Sequence, residues 1–158
     1  ELSTEIAEGA VWANGSRSHM ADSLSHIPAT KREGDFFIGD MIPTCIDDSD
    51  PAAAANVSKR TLTSYLMLPN YRNYWKEAGY VEEMEAIESA LERRDRDALP
   101  GLMTDRWLAD STLFGTRKHV LEGLEAWFAA GVKTPILVPS STSGGQVKAM
   151  DELFAAFA

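Results

Sequence analysis

Residues 35–54 read DFFIGDMIPTCIDDSDPAAA, and the two halves of this stretch ask for different backbone. Phe36, Phe37, Ile38 and Ile42 form an aromatic and β-branched run that suits a pleated, half-buried strand. Gly39 weakens the run and Pro43 has no N–H to give a ladder, so the strand is expected to bend or end near Pro43. Asp50 then precedes Pro51, placing a capping carboxylate before the residue whose fixed φ and missing N–H suit the first helical position. A helix is expected to start there and run on through AAAANVSKRTLTSYLML.

Upstream, Leu2, Ile6 and Ala10 lie at helical spacing, Gly9 can end that helix, and Ala10-Val11-Trp12 follows as a short strand. After the polar turn ANGSRS, Ser18 is placed to cap a helix carrying Met20, Leu24 and Ile27, stopped by Pro28, and ATKREG reads as a polar connection. Downstream, Tyr71, Tyr74 and Trp75 share a helical face, with Gly79 where a left-handed C-cap belongs. Such a stripe is core, or in a functional reading the wall of a ligand pocket. Val81, Met84, Ile87 and Leu91 mark an amphipathic surface helix with acids early and arginines late, as the helix dipole favours.

PGLMTDRWLADSTLFG is less regular. Thr116 then caps a helix with Val120, Leu121, Leu124, Trp127 and Phe128 at helical spacing, ended at Gly131. VKTPILVPSS is expected to be a short buried strand, and GGQVKAMDELFAAFA a last helix with Val147, Met150, Phe154 and Phe157 on its apolar face. The alternation of helix and strand makes the class α/β, with parallel strands joined by right-handed crossovers.

The 158 residues are 44% apolar and 25% charged, the composition of one globular domain. A net charge of -9 argues against a nucleic-acid partner, and no apolar run reaches the ~20 residues a membrane span needs. A cytoplasmic location is expected. Cys45 is the one cysteine, which excludes an intrachain disulfide and fits a small buried side chain. Asp47, Asp48 and Asp50 crowd together, but a helix start accounts for them and no metal site is assigned. His19, His26 and His119 are read as surface or hydrogen-bonded residues, and no catalytic residue is assigned.

The turn after the first strand has two readings. Gly15 lets backbone approach a ligand closely, Ser16 can donate from side chain and backbone, Arg17 adds a fixed charge and Asn14 offers its amide, which together suit a phosphate. Alternatively it is a polar loop whose Ser18 merely caps a helix.

Three stretches resemble, in order and spacing, the C-terminal half of the bacterial-luciferase-like monooxygenase family: EIAEGAVWANGSRSHMADSL; DFFIGDMIPTCIDDSDPAAA with LTSYLMLPNYRNYWKEAGY; and FGTRKHVLEGLEAWFAAGVKTPILVPSS. The resemblance implies that Val11, the 36–42 region and Ile136 to Val138 lie on strands six, seven and eight of a (β/α)8 TIM barrel, so that residues 1–158 are its C-terminal half and the N-terminal half is absent from this chain. It implies a flavin- or deazaflavin-dependent oxidoreductase, with FMN or a deazaflavin coenzyme undecided and a small organic substrate. On it Asn14, Gly15, Ser16 and Arg17 become cofactor-phosphate contacts. Three strands cannot close a barrel, so the chain alone is expected to be an inactive fragment that forms a homo-oligomer or associates with the missing half. The alternative is a non-enzymatic α/β half-barrel that self-associates and binds no cofactor.

Overall fold

The computed structural model describes residues 2–158. In chain order the elements are α1 (Leu2–Ile6), β1 (Gly9–Ala13), α2 (Met20–Ser25), α3 (Ala29–Glu33), β2 (Phe37–Ile46), α4 (Pro51–Leu66), α5 (Pro69–Glu77), α6 (Val81–Glu92), α7 (Asp105–Ser111), β3 (Leu113–Gly115), α8 (Arg117–Ala129), β4 (Thr134–Ser140) and α9 (Gln146–Ala156). Short 3-10 turns cover Arg17–His19 and Leu99–Leu102.

All described strand pairs are parallel, and β2 is the hub. β4 pairs with residues 39–45 of β2, overlapping the stretches that pair with β1 (37–41) and β3 (44–46). A strand has two edges, so β1 and β3 must follow one another along the edge opposite β4.

This explains why β2 does not end at Pro43, as the sequence allowed, but runs on to Ile46. Phe37 N–H donates to Glu8 O and Met41 O accepts from Asn14 N–H, so the odd residues of β2 turn their backbone groups toward β1. Ile38 O accepts from Lys133 N–H on the other side. Pro43 therefore aims its missing donor between the last β1 pair at Met41 and the first β3 pair at Thr44, where neither strand reaches.

One sheet face is covered. Ile38 and Ile42 pack with Met20 and Leu24 of α2 and with Val120, Leu124 and Trp127 of α8. A second apolar cluster lies within the long excursion between β2 and α8, around Leu62, Leu66, Trp75, Met84, Ile87 and Trp107. The opposite sheet face is open over much of its length: Val11, Phe37, Met41 and Val138 share it by register and are 36–51% exposed, while Cys45, further along the same side of β2, is buried against α4. The strand at 134–140, expected to be buried, is thus covered on one side only.

Helix starts follow the expected chemistry. Asp50 Oδ1 accepts Ala53 N–H at 2.9 Å and Thr116 Oγ1 accepts His119 N–H at 3.2 Å. Three local readings change. ATKREG is a helix, begun by Lys31 and Arg32 N–H groups bonding Pro28 O. Ser18 does not cap α2, because its hydroxyl is spent on Asp110 and His19 occupies the N-cap. The closing helix is turned over: Ala149, Leu153 and Ala156 face β4 and β2, while Val147, Phe154 and Phe157 are more than half exposed. The small side chains let α9 sit close to the sheet, and the larger apolar stripe is left outside.

Among the described residues no helix is long and apolar enough to cross a membrane.

Candidate functional site

The loops after β1, β2 and β4 leave the same, C-terminal edge of the parallel sheet, the edge at which ligands meet open α/β sheets and barrels. The loop after β1 contains all four residues singled out for phosphate contact, and the structure shows where their polar groups go.

Asn14 adopts a left-handed conformation (φ 56°), which turns the chain sharply out of β1. Gly15 N–H donates to Asp40 Oδ1 at 3.2 Å, Ser16 N–H to Tyr74 Oη at 3.0 Å, and Ser18 N–H to Asp110 Oδ1 at 2.9 Å. A second bond to Asp110, from Ser18 Oγ at 2.7 Å, and one from Tyr80 Oη at 2.8 Å fill the other carboxylate oxygen. Trp75 Nε1 donates to Asn14 O. The loop's backbone N–H groups are taken up by acceptors of its own chain, the carboxyl groups of Asp40 and Asp110 and the phenol of Tyr74.

Gly15 is closely packed: a Cβ there would stand 3.2 Å from Asp40 Oδ1 and from the Met20 methyl, so either would have to give by a few tenths of an ångström. Asn14 and Ser16 are buried as well, and the side-chain groups Asn14 Nδ2, Ser16 Oγ and Asp40 Oδ2 have no partner among protein atoms. Arg17 is half-buried and lines a 90 Å³ hollow with Thr112, Phe114 and His119. Of the four it is the one whose side chain reaches solvent.

Burial dominates the electrostatics here. Asp40, on the covered face of β2, has its carboxyl pushed up to about 7 by burial, against the lowering effect of N–H bonds from Gly15 and Met41. Tyr74 and Tyr80 are both raised, first by burial and further by nearby acids, Asp40 and Asp110 for Tyr74 and Asp110 for Tyr80, and Arg106 lies over the Tyr80 ring at 4.6 Å.

A second crevice, of about 440 Å³, opens between the C-terminal ends of β2 and β4 and is lined by Asp47, Asp48, Arg117, Thr142, Lys148 and Glu152 among others. Its groups largely satisfy one another. Asp47 accepts from Ser49, Asp50 and Thr142, which holds its carboxyl well below the usual range, and Arg117 N–H donates to Asp48 at 2.7 Å. The three aspartates are thus a helix-start network. Cys45 is buried against α4, with its thiol pushed up to about 11 by burial.

Sequence reasoning missed Asp40, Asp110, Tyr74 and Tyr80 as the groups that organise this loop. Asp40 left a signal, a charged residue inside an apolar strand. Tyr74 appeared only as part of an aromatic stripe, and Asp110 left none, because its partners lie 30 and 92 residues away.

The sequence profile of a family described as luciferase-like monooxygenase matches residues 1–134. No curated protein matches the chain significantly. Among solved structures, the chain is similar to the coenzyme F420-dependent tetrahydromethanopterin reductase from Methanopyrus kandleri, with 18% identity and a TM-score of 0.71. The match covers 96% of this chain and 44% of that one, so the chain spans less than half the length of the protein it resembles.

Proposed function

This chain belongs to the luciferase-like monooxygenase family, and we propose that it is the C-terminal half of a flavin- or deazaflavin-dependent oxidoreductase built on a (β/α)8 barrel. On this reading β1, β2 and β4 are strands six, seven and eight. The observation that supports it best is the open apolar sheet face of Val11, Phe37, Met41 and Val138, which has the composition of a barrel's filled interior. Five further strands would cover it and complete the mouth at the C-terminal edge, in a cytosolic enzyme acting on a small organic substrate.

FMN or a deazaflavin, when bound, would supply the hydride or electron chemistry. This chain's part is to hold the cofactor's phosphate beside the loop Asn14, Gly15, Ser16 and Arg17. The fit of those residues rests on side chains: Arg17 offers a guanidinium, and Asn14 Nδ2 and Ser16 Oγ are donors without partners. The backbone N–H groups of Asn14, Gly15 and Ser16 are already engaged, so they shape the loop without donating to a ligand.

The test is to produce the chain alone and joined to the residues encoded upstream of Glu1. The joined protein is expected to quench FMN or deazaflavin fluorescence on binding, with affinity lowered at least tenfold by Arg17→Gln. The isolated chain should bind neither and should self-associate. A cooperatively folded monomer, or an initiator Met directly before Glu1, overturns the half-barrel assignment. Failure of the joined protein to bind either cofactor overturns the redox assignment in favour of a self-associating module.

A further inference from the structure

α5, α6 and α8 end in the same way, with one exception that has chemical consequences. In each, the N–H two residues past the C-cap bonds back across five residues and the N–H before it across three: Tyr80 to Trp75 and Gly79 to Lys76, Asp95 to Ala90 and Arg94 to Leu91, Val132 to Trp127 and Gly131 to Phe128. This closure needs a left-handed residue, and φ is +93° at Gly79, +100° at Gly131 and +60° at Arg94. Glycine takes that conformation freely, whereas a side chain pays a steric cost there. At α6 the position is an arginine.

Arg94 stands over a crevice of about 590 Å³ lined by Met67, Arg72, Leu91 and Arg96. Arg72 is fixed: its Nε donates to Glu88 Oε1 at 3.2 Å and its Nη1 to Leu66 O at 2.6 Å. Lys76 Nζ also reaches Glu88, at 2.6 Å, so two cations share one carboxylate and positive charge is left over. Arg94 and Arg96 have no side-chain hydrogen bond or ion pair among the described residues. Asp95, which stands between them, is turned away to accept Ala98 N–H. In a chain of net charge -9, three arginines line one hollow that no acidic side chain lines, although Glu92, Asp95 and Asp97 are neighbours in the chain.

We propose that this corner of α4, α5 and α6 is a binding site for a small organic oxyanion, a phosphate or carboxylate ester-sized ligand held by the forks of Arg94 and Arg96 and seated against Met67 and Leu91. Guanidinium groups match the geometry of such oxygens in pairs, and the apolar walls accept the part of the ligand that is not charged. Glycine at position 94 would relax the helix end and remove the fork. The site requires neither a barrel nor a redox cofactor, so it stands apart from the function proposed above.

Calorimetric titration of the full chain with inorganic phosphate, phenyl phosphate and benzoate, at constant ionic strength, tests this. Saturable binding is expected, tighter for phenyl phosphate than for phosphate because Met67 and Leu91 seat the ring; benzoate against phenyl phosphate tells carboxylate from phosphate preference. Arg94→Gly is expected to raise the melting temperature while weakening binding at least tenfold, and Arg96→Gln to weaken it without moving the melting temperature. Binding unchanged in both variants, the absence of saturation in the unaltered chain, or a lowered melting temperature in Arg94→Gly overturns the proposal, the last because it makes the arginine a structural residue.

Discussion

Ser18 and Asp110, 92 residues apart, are joined by two hydrogen bonds: N–H to Oδ1 at 2.9 Å and Oγ to Oδ2 at 2.7 Å. This pair ties the loop after β1 to α7, and Tyr80 closes it from a third side. A carboxyl group taking three donors in a buried place is among the stronger hydrogen-bond arrangements, and its removal takes the acceptor from the buried Tyr80 hydroxyl and from Ser18.

Asp110→Ala is therefore expected to cost about 3 kcal/mol in urea unfolding, because Ser18 N–H, Ser18 Oγ and Tyr80 Oη all lose their acceptor. Asp110→Asn, which keeps one acceptor oxygen, should cost roughly half that. Equal losses in the two variants would mean that packing, not hydrogen bonding, holds the loop.

Asp40 makes stability depend on pH with an unusual sign. Unfolded, its carboxyl ionises near 3.8; folded, it keeps its proton up to about 7. Its contribution is fully present below the unfolded value and is lost as pH rises through the folded one, between about pH 4 and 7, with a ceiling of about 4 kcal/mol. Asp40→Asn retains an acceptor for Gly15 N–H and carries no charge to bury, so the variant should gain on the unaltered protein as pH rises through that window. The difference between the two stability curves is the measurement, since Glu88, lowered by Lys76 and Arg72, moves the opposite way in the raw curve. A constant difference from pH 4 to 8 refutes the assignment.

Thr116 caps α8 through a bond from His119 N–H, and the same helix closes in a left-handed turn at Gly131. Thr116→Ala should lose about 1 kcal/mol. Gly131→Ala should lose more, since its added Cβ would stand 2.7 Å from Leu24 Cδ1 in a conformation that disfavours any side chain. Thermal melts of the two variants rank the terms, and the reverse order contradicts the geometry.

The open sheet face gives a prediction of opposite sign in two settings. Met41→Lys in the isolated chain should reduce self-association seen by light scattering and leave the fold intact, because Met41 is exposed there. In a protein carrying the proposed remaining strands, the same change buries a charge and should prevent folding. A silent Met41→Lys in both settings would place the covering surface elsewhere.

Much of the backbone is legible in the sequence because its signals are local. Asp50-Pro51, Thr116 and Gly131 mark helix ends within a turn of themselves, and Leu2 to Trp12 announces a helix and a strand by spacing alone. The misreadings arise where a distant element decides. Pro43 continues a strand because two partners on one edge leave a gap opposite it, and no local pattern states where β3 will dock. α9 has apolar residues on two sides, and spacing alone favours the bulkier set; close packing against the sheet selects Ala149, Leu153 and Ala156. The candidate loop was legible as a set of donors in ANGSRS, but Asp40, Tyr74 and Asp110, which take up those donors, come from 25, 58 and 92 residues along the chain.

The long excursion from β2 to α8 leaves and re-enters the wall at one place, since Asp47 N–H donates to Gly115 O at 2.9 Å and β3 pairs with the very end of β2. It is thus a cassette with its two ports already fastened together. A short linker in place of residues 48–114 would span ends that are neighbours, so the cassette can be replaced without moving its two ports. Whatever replaces it inherits a task along with the space: the amides of Ser16 and Ser18, now answered by Tyr74 and Asp110 from inside the cassette, would need new acceptors.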